Sequence, residues 1–557
     1  MTLLLAGLAS TAGAQPARRD APADAPLRVR AEAFAGSELE RYLRVLQVSG
    51  QAPLYPWAIR AFSPGEVDSL LPRRATHPWA ARYDLTHDDT ATARGGLRMR
   101  VIRPSLALRY NSAFPFGGND GAVWAGRGLT SALRAGAAAR WGPLSLTVAP
   151  IAFRAENADF PLLANGRAGT LAYADGQYPT TIDLPQRFGD DAYQRVDPGQ
   201  STLRLDLSGV VVGASTANMW WGPASEYPFV LGNNAAGFPH VFVGTQRPAD
   251  IWIGRVHARV MWGRLEQSAY FDPATDPAGL TRARRFAAGL VGTFQPRGIP
   301  GLELGGARFF HAPWPDHGLP GRYIGRPFQT FVKKHLDPVG NPIPGDDRSS
   351  DGENQLASVF GRWVLPRGGL EVYFEYGRDD HNWQTRDLLL EPDHQASMLW
   401  GMQKTWRHDG DELVALRLES LNYEINAPGR NRAPGAIYTH SSGSNQGHTQ
   451  RGQMLGANAG PGSGAGAIAA LDWYRPDGRW TARWTRVLRG RQNARGPDGG
   501  ANPDAMDVIH SLGVERLLFL GPWDVAAGVT GSYEFNRNFA GDRQNLHVYL
   551  SVTGLPR

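Results

Sequence analysis

The side chains best equipped to bind a ligand crowd into one stretch of the chain. Trp220, Trp221, Tyr227, Asn233, Asn234 and His240 stand close together there. Aromatic faces cover the C–H surface of a sugar ring, and planar amides and imidazoles pair with hydroxyls. Trp314, His317, Trp383, Arg386, Tyr438, Asn445 and His448 offer the same chemistry elsewhere. A packing role competes at every one of these positions. For the 220–240 stretch that rival is specific: the segment folds into the interior and its amides satisfy buried backbone groups.

Covalent chemistry has no comparable support. The chain contains neither G-x-S-x-G nor H-E-x-x-H. Asp379-Asp380-His381 reads as the solvated start of a loop, because a carboxylate–His run without further ligands is a weak metal site. Asp346, Asp347, Asp351 and Glu353 supply oxygens, but their spacing matches no known calcium loop. His440 and His448 read as ordinary loop residues. No catalytic residue, metal ligand or cofactor is assigned, and the expectation is a non-enzymatic protein.

The composition narrows the scaffold that must position these groups. The chain has 557 residues, no cysteine, 67 glycines and 41 prolines. Without cysteine there is no disulfide framework and no thiolate chemistry. Aromatics make up 10% and the net charge is only +6, which excludes a disordered chain. The basic residues are nearly all arginine, the exceptions being Lys333, Lys334 and Lys404. They are scattered and form no stripe, so nucleic acid is not an expected partner. No run of about 18 apolar residues appears, which excludes helical membrane spans. The mean hydropathy of −0.35 looks soluble.

Met1–Ala14 has a short apolar core and ends in Ala12-Gly13-Ala14, the pattern of a cleaved signal peptide. Residues 15–29 read as a flexible mature N-terminus. Helix signals fill residues 30–90. Ser37 stands three before Glu40, and Leu39, Leu43 and Leu46 share a face of a helix over Glu38–Val48. Ser63-Pro64-Gly65-Glu66 repeats the start signal before Val67, Leu70 and Leu71.

From about Leu97 the period changes to two. Across Asp250–Gly263, Trp252, Gly254, Val256, Ala258, Val260 and Trp262 fall on one face. Ile251, Ile253, Arg255, His257, Arg259 and Met261 fall on the other. Trp523, Val525, Ala527, Val529, Gly531 and Tyr533 repeat the apolar face with aromatics at both ends. About ten residues at ~3.3 Å each, tilted ~40°, project to ~25 Å, the height of the lipid-facing band of an outer-membrane barrel. Trp252, Trp262, Trp523 and Tyr533 then become membrane-interface aromatics.

Connection lengths give a second signal. Tight turns at 141–143, 366–369, 408–410, 475–478 and 521–522 alternate with long polar connections at 111–127, 156–201, 223–249, 272–283, 312–353, 379–394, 424–463, 490–506 and 536–542. The chain reads as an all-β transmembrane antiparallel barrel of about 18 strands over residues 97–554. Both ends lie on the short-turn, periplasmic side. Such barrels usually finish on an aromatic residue, whereas this chain finishes Gly554-Leu555-Pro556-Arg557.

Trp220-Trp221-Gly222-Pro223 is followed by Pro228-Phe229-Val230-Leu231-Gly232-Asn233-Asn234-Ala235-Ala236-Gly237-Phe238-Pro239. This resembles the W-G-P … L-S-N-N-A-x-x-F-P segment of the Wzi family of capsule-assembly proteins, with Gly232 replacing the usual Ser. The layout is similar over nearly the whole mature chain. The resemblance implies an outer-membrane lectin that holds capsular polysaccharide at the cell surface. It implies an 18-stranded barrel, closed near the periplasm by a helical bundle that would be Ser37–Leu71. The expected partners are a surface or capsular polysaccharide and outer-membrane lipid, with a monomeric barrel.

Two other classes stand beside this one. Arg103, Arg109, Arg255 and Arg259 on inner faces could line a porin-like channel for sugars or anions. A soluble secreted β-protein is the third, although no repeat of about 40–50 residues is visible.

Overall fold

Alternating strands close on themselves when each inward side chain finds a partner inside and each outward one is apolar. The computed structural model describes residues 32–72, 77–85, 97–271, 283–315, 321–328, 354–379, 389–408, 411–424, 435–440, 445–491 and 506–554, and in it the chain forms a closed antiparallel barrel of eighteen staves. The expected signal peptide, the flexible start, Trp383 and the acidic group at 346–353 lie outside the described residues.

The first five staves are β1 (Arg98–Asn111), β2 (Gly128–Trp141), β3 (Leu144–Val148 with Ile151–Ala155), β4 (Tyr193–Asp197 with Thr202–Leu207) and β5 (Val210–Ser215). Next come β6 (His240–Thr245), β7 (Gly254–Glu266), β8 (Arg284–Pro296), β9 (Leu302–Pro313), β10 (Asn354–Leu365) and β11 (Leu370–Asp379). The circuit continues with β12 (Ala396–His408), β13 (Glu412–Asn422), β14 (Ser463–Arg475) and β15 (Gly478–Gly490). It ends with β16 (Met506–Leu520), β17 (Trp523–Arg537) and β18 (Gly541–Thr553). The seam joins β1 to β18, with Ser105 opposite Thr553 and Asn111 opposite His547.

The outward face is apolar as the period-two pattern requires: Trp400, Leu512, Val359 and Val529 are all exposed on it. Three local expectations change. The continuous strand Asp250–Gly263 is a hairpin. Ala249 pairs with Val256 and Ile251 with Gly254, so Trp252 and Ile253 form the turn. A side chain at Gly254 would come within 2.3 Å of the Gln295 carbonyl oxygen, which is why glycine stands where the hairpin meets β8. His240–Thr245, expected within a long connection, is a stave between β5 and β7, and the connection is residues 216–239. The connection expected at 536–542 is a short turn at 538–540.

Inside the barrel sit three helices, α1 (Glu38–Val48), α2 (Pro64–Leu70) and α3 (Trp79–Arg82). The Ser37 hydroxyl caps α1 by accepting from the Glu40 N–H. Ser63 and Glu66 form the reciprocal capping box of α2, with Pro64 in its first turn. Tyr42, Leu43, Leu46, Trp57, Leu70 and Trp79 bury together against Leu413, Tyr474 and Leu517 of the wall.

Candidate functional site

The lumen is filled from two directions, and long-range polar contacts hold both fillings. The helical plug docks on carboxylates of the wall. Glu303 accepts from the Trp57 and Ala58 N–H groups at 2.8 and 3.0 Å. Glu371 receives Arg44 at 3.0 Å and also pairs with Arg362, whose Nη2 reaches Gln47 at 2.5 Å. On α2, Glu66 faces His257 at 3.2 Å. Burial pushes the Glu66 carboxyl upward. The His257 hydrogen bond, with the His257, Arg204 and Arg259 charges, outweighs it and holds the group at about 2.

The 216–239 connection folds inward and meets the plug. Trp220 and Trp221 pair with Arg60 and Ile59 in a two-residue ladder. Arg60 donates to Glu40 at 2.8 Å, to the Ala224 carbonyl at 2.6 Å and to the Gly222 carbonyl at 3.1 Å. Glu419 of β13 accepts the N–H groups of Ser225, Glu226 and Tyr227 at 2.5, 3.0 and 2.7 Å, and the Tyr373 hydroxyl at 2.6 Å. A carboxylate meeting successive N–H groups is an efficient anchor for irregular backbone in a lumen.

A third segment locks the first two. His448 pairs with the Val230 carbonyl at 2.6 Å, and the Tyr438 hydroxyl donates to the Phe229 carbonyl at 2.8 Å. The Tyr438 and His448 rings stack at 5.6 Å. Burial lowers the His448 imidazole to about 3, so it is neutral at ordinary pH. Asp379 accepts from the Tyr438 N–H at 2.6 Å, so this carboxylate organises a loop.

The larger apolar cluster lies on one side, and Ala236 joins a smaller one with Ala132, Ile151 and Phe153 of β2 and β3. Trp221, Tyr227, Phe229, Leu231 and Phe238 bury against inner residues of β5–β14, among them Met261, Val291, Phe309, Phe360 and Leu399. Along β15–β18 and β1–β3 a cavity of about 690 Å³ remains. It reaches from Gly117 and Gly118 at the long-loop end to Arg82, Arg103 and Asp524 at the short-turn end. There Asp524 binds Arg82 at 2.8 Å and Arg103 at 2.6 Å.

The residues expected to bind separate accordingly. Trp220, Tyr227 and Asn233 border the cavity, although Trp220 and Tyr227 are largely covered. The Asn233 amide donates to the Asn119 carbonyl at 2.7 Å, and Asn234 lies beside the Asn119 N–H at 3.4 Å. Trp221, His240 and Tyr438 are buried away from it. Trp314 packs with Phe286 and Tyr323 on the outer wall. Trp252 is 86% exposed at a short turn, while the Trp262 indole donates to the Ile324 carbonyl at 3.0 Å; Trp523 opens β17, and Tyr533 lies within it, short of its end at Arg537. Arg109 and Arg103 line the cavity, but Arg255 donates to the plug at Leu54 and Arg259 lies over the Phe242 ring. Arg134, Thr485, Ser511, Thr530 and Tyr549 also line the cavity and were not singled out from sequence. Their only signal there is inward register on strands of mixed small residues.

A family model described as capsule assembly protein Wzi matches residues 115–530. The chain belongs to the Wzi family. The plug lies outside the matched region, which covers the 216–239 connection and most of the staves. No curated protein matches in sequence. Among solved structures, Wzi of Escherichia coli is similar, with 14% identity, 93% of this chain and 98% of that one covered, and a TM-score of 0.58. That protein is described as an outer-membrane protein involved in group 1 capsule assembly and a carbohydrate-binding β-barrel. OpdQ of Pseudomonas aeruginosa aligns at 10% identity over 82% of this chain and 97% of its own, with a TM-score of 0.39. OprD of the same organism aligns at 9% over 81% and 92%, with a TM-score of 0.36.

Proposed function

We propose that this chain is an outer-membrane, non-enzymatic polysaccharide-binding protein that helps attach or assemble capsular or other surface polysaccharide. Membership of the Wzi family supports the reading, as does the carbohydrate binding described for the Escherichia coli protein. The observation that carries it is the filled lumen. Helices and the 216–239 connection fill most of the barrel and leave a cleft along one side of the wall, and two of the four arginines that could line a pore are taken up by the plug and the wall.

In this reading the signal peptide is cleaved, the 30–90 segment plugs the periplasmic end, and a monomer presents its long loops outward. A repeating polymer meets many weak contacts, so avidity replaces one tight site. Trp220, Tyr227 and Asn233 serve at the cavity margin with Asn234 beside them, and Trp383 is among the loop contacts.

The test is a deletion strain and purified barrel with the organism's own surface polysaccharide. Loss of cell-bound polysaccharide and direct binding are expected. Polysaccharide that stays fully cell-bound, or a barrel that does not bind it, overturns the reading. Steady conductance in planar bilayers would favour a porin instead.

A further inference from the structure

Small inner side chains leave the β15–β18 wall bare. Gly513 and Gly528 face the lumen there, and most of the apolar packing of the 216–239 connection lies on the opposite side. The resulting cavity, about 690 Å³, falls within the range of roughly 300–1,000 Å³ usual for ligand sites. Its long-loop end is bordered by Gly117 and Gly118, both exposed.

The charges along it are unevenly matched. Arg109 pairs with Asp120 at 2.6 Å, and Arg483 with Glu226 at 3.1 Å. Arg103 shares Asp524 with Arg82. Arg134, on β2 opposite the bulge between Ile102 and Ser105, has neither an ion pair nor a hydrogen bond among the described residues. Its Nε is buried without an acceptor. A guanidinium left so in a lumen has no hydrogen-bonded carboxylate, the group its fork of donors fits best, since nearby Asp120 is taken by Arg109. Thr485 and Thr530 present hydroxyls to the cavity, and Tyr549 a phenol, its ring lying under Arg109 at 5.3 Å.

We propose that this cleft binds an acidic saccharide segment, its carboxylate held by Arg134 and its hydroxyls by Thr485 and Thr530. The inference rests on the polysaccharide-binding reading and adds the ligand's charge and its place within the barrel wall. A neutral sugar would leave Arg134 as it is, whereas a uronate-type residue completes it.

Trigalacturonate is the acidic probe and maltotriose the neutral one, titrated into full-length folded barrel in detergent at low salt. Trigalacturonate is expected to bind at least about tenfold more tightly than maltotriose. Arg134→Gln should abolish that preference and Arg134→Lys should keep part of it. Thr530→Phe, which narrows the cleft while leaving Arg134 in the sequence, should weaken trigalacturonate to a similar extent. Equal binding of the two probes, or a preference unchanged in both Arg134→Gln and Thr530→Phe, overturns the inference. If the barrel binds the organism's own polysaccharide but shows no preference for trigalacturonate, only the acidic-cleft assignment falls. If it binds neither, the polysaccharide-binding reading falls with it.

Discussion

The Arg60 guanidinium lies 4.7 Å above the Trp220 ring, with Glu40 paired to its other side. This contact joins the plug to the inward connection at a point where both residues are almost fully buried. Replacing Arg60 by Ala leaves the buried Glu40 carboxylate, which also accepts from the Gly36 N–H, without its ion-pair partner and removes the donors for two carbonyls. A cost of about 3–5 kcal/mol to plug docking is expected. Trypsin should then cleave within the helical segment while the barrel keeps its heat-modifiable migration. Unchanged protease resistance would show that the contact is dispensable.

Glu419 gathers three consecutive N–H groups, so its removal should loosen the connection rather than the wall. In Glu419→Ala the Ser225–Tyr227 backbone loses its acceptor, at roughly 1.5–3 kcal/mol for each charged hydrogen bond left without a replacement. Hydrogen exchange of the 225–227 amides should rise sharply, with the β12–β14 amides still protected. Protection of 225–227 equal to wild type would refute the anchoring role.

Acid should undock α2. The Glu66 carboxyl is held down at about 2 from an ordinary 4.5. A depressed folded-state value means that its contribution is fully present above pH 4.5 and is lost as pH falls through about 2. Trp57 fluorescence should report a loosening across that window. Glu66→Gln should flatten the response and weaken docking at neutral pH. A wild-type trace without change between pH 4.5 and 2 would contradict this assignment.

Helix starts and wall strands were legible because their causes are local. Ser37, Ser63 and Glu66 act within one helical turn, and outward residues such as Val529 and Leu512 need only alternate. The lumen was not legible, because its contacts span the chain: Glu303 holds Trp57 from 246 residues away and Glu371 holds Arg44 from 327. Trp220 and Tyr227 stood out by type alone, while Arg134 did not, since an arginine on a strand of small residues gives no hint of whether its partner is missing. The stave His240–Thr245 is only six residues long and sits next to loop-like prolines and glycines, which hid it. Trp252 kept the period of its strand while lying in the turn, so alternation alone misplaced it.

Trp252 should sit in the lipid interface. Its indole is exposed at a short turn, the place where amphipathic rings anchor a barrel. In vesicles, the emission lost on Trp252→Phe should be quenched more by bromines near the headgroup than by bromines at the chain terminus. Equal quenching by both would place the ring elsewhere.

The uneven filling of the lumen also bears on how the cylinder is completed. The seam between β1 and β18 lies in the wall beside the cavity, opposite the staves that grip the 216–239 connection. Near it the plug is held to the wall through Arg82 at Asp524, which also binds Arg103 of β1, and Arg103 reaches the Thr553 carbonyl of β18. The bonds that close the ring are thus distinct from the contacts that fill it.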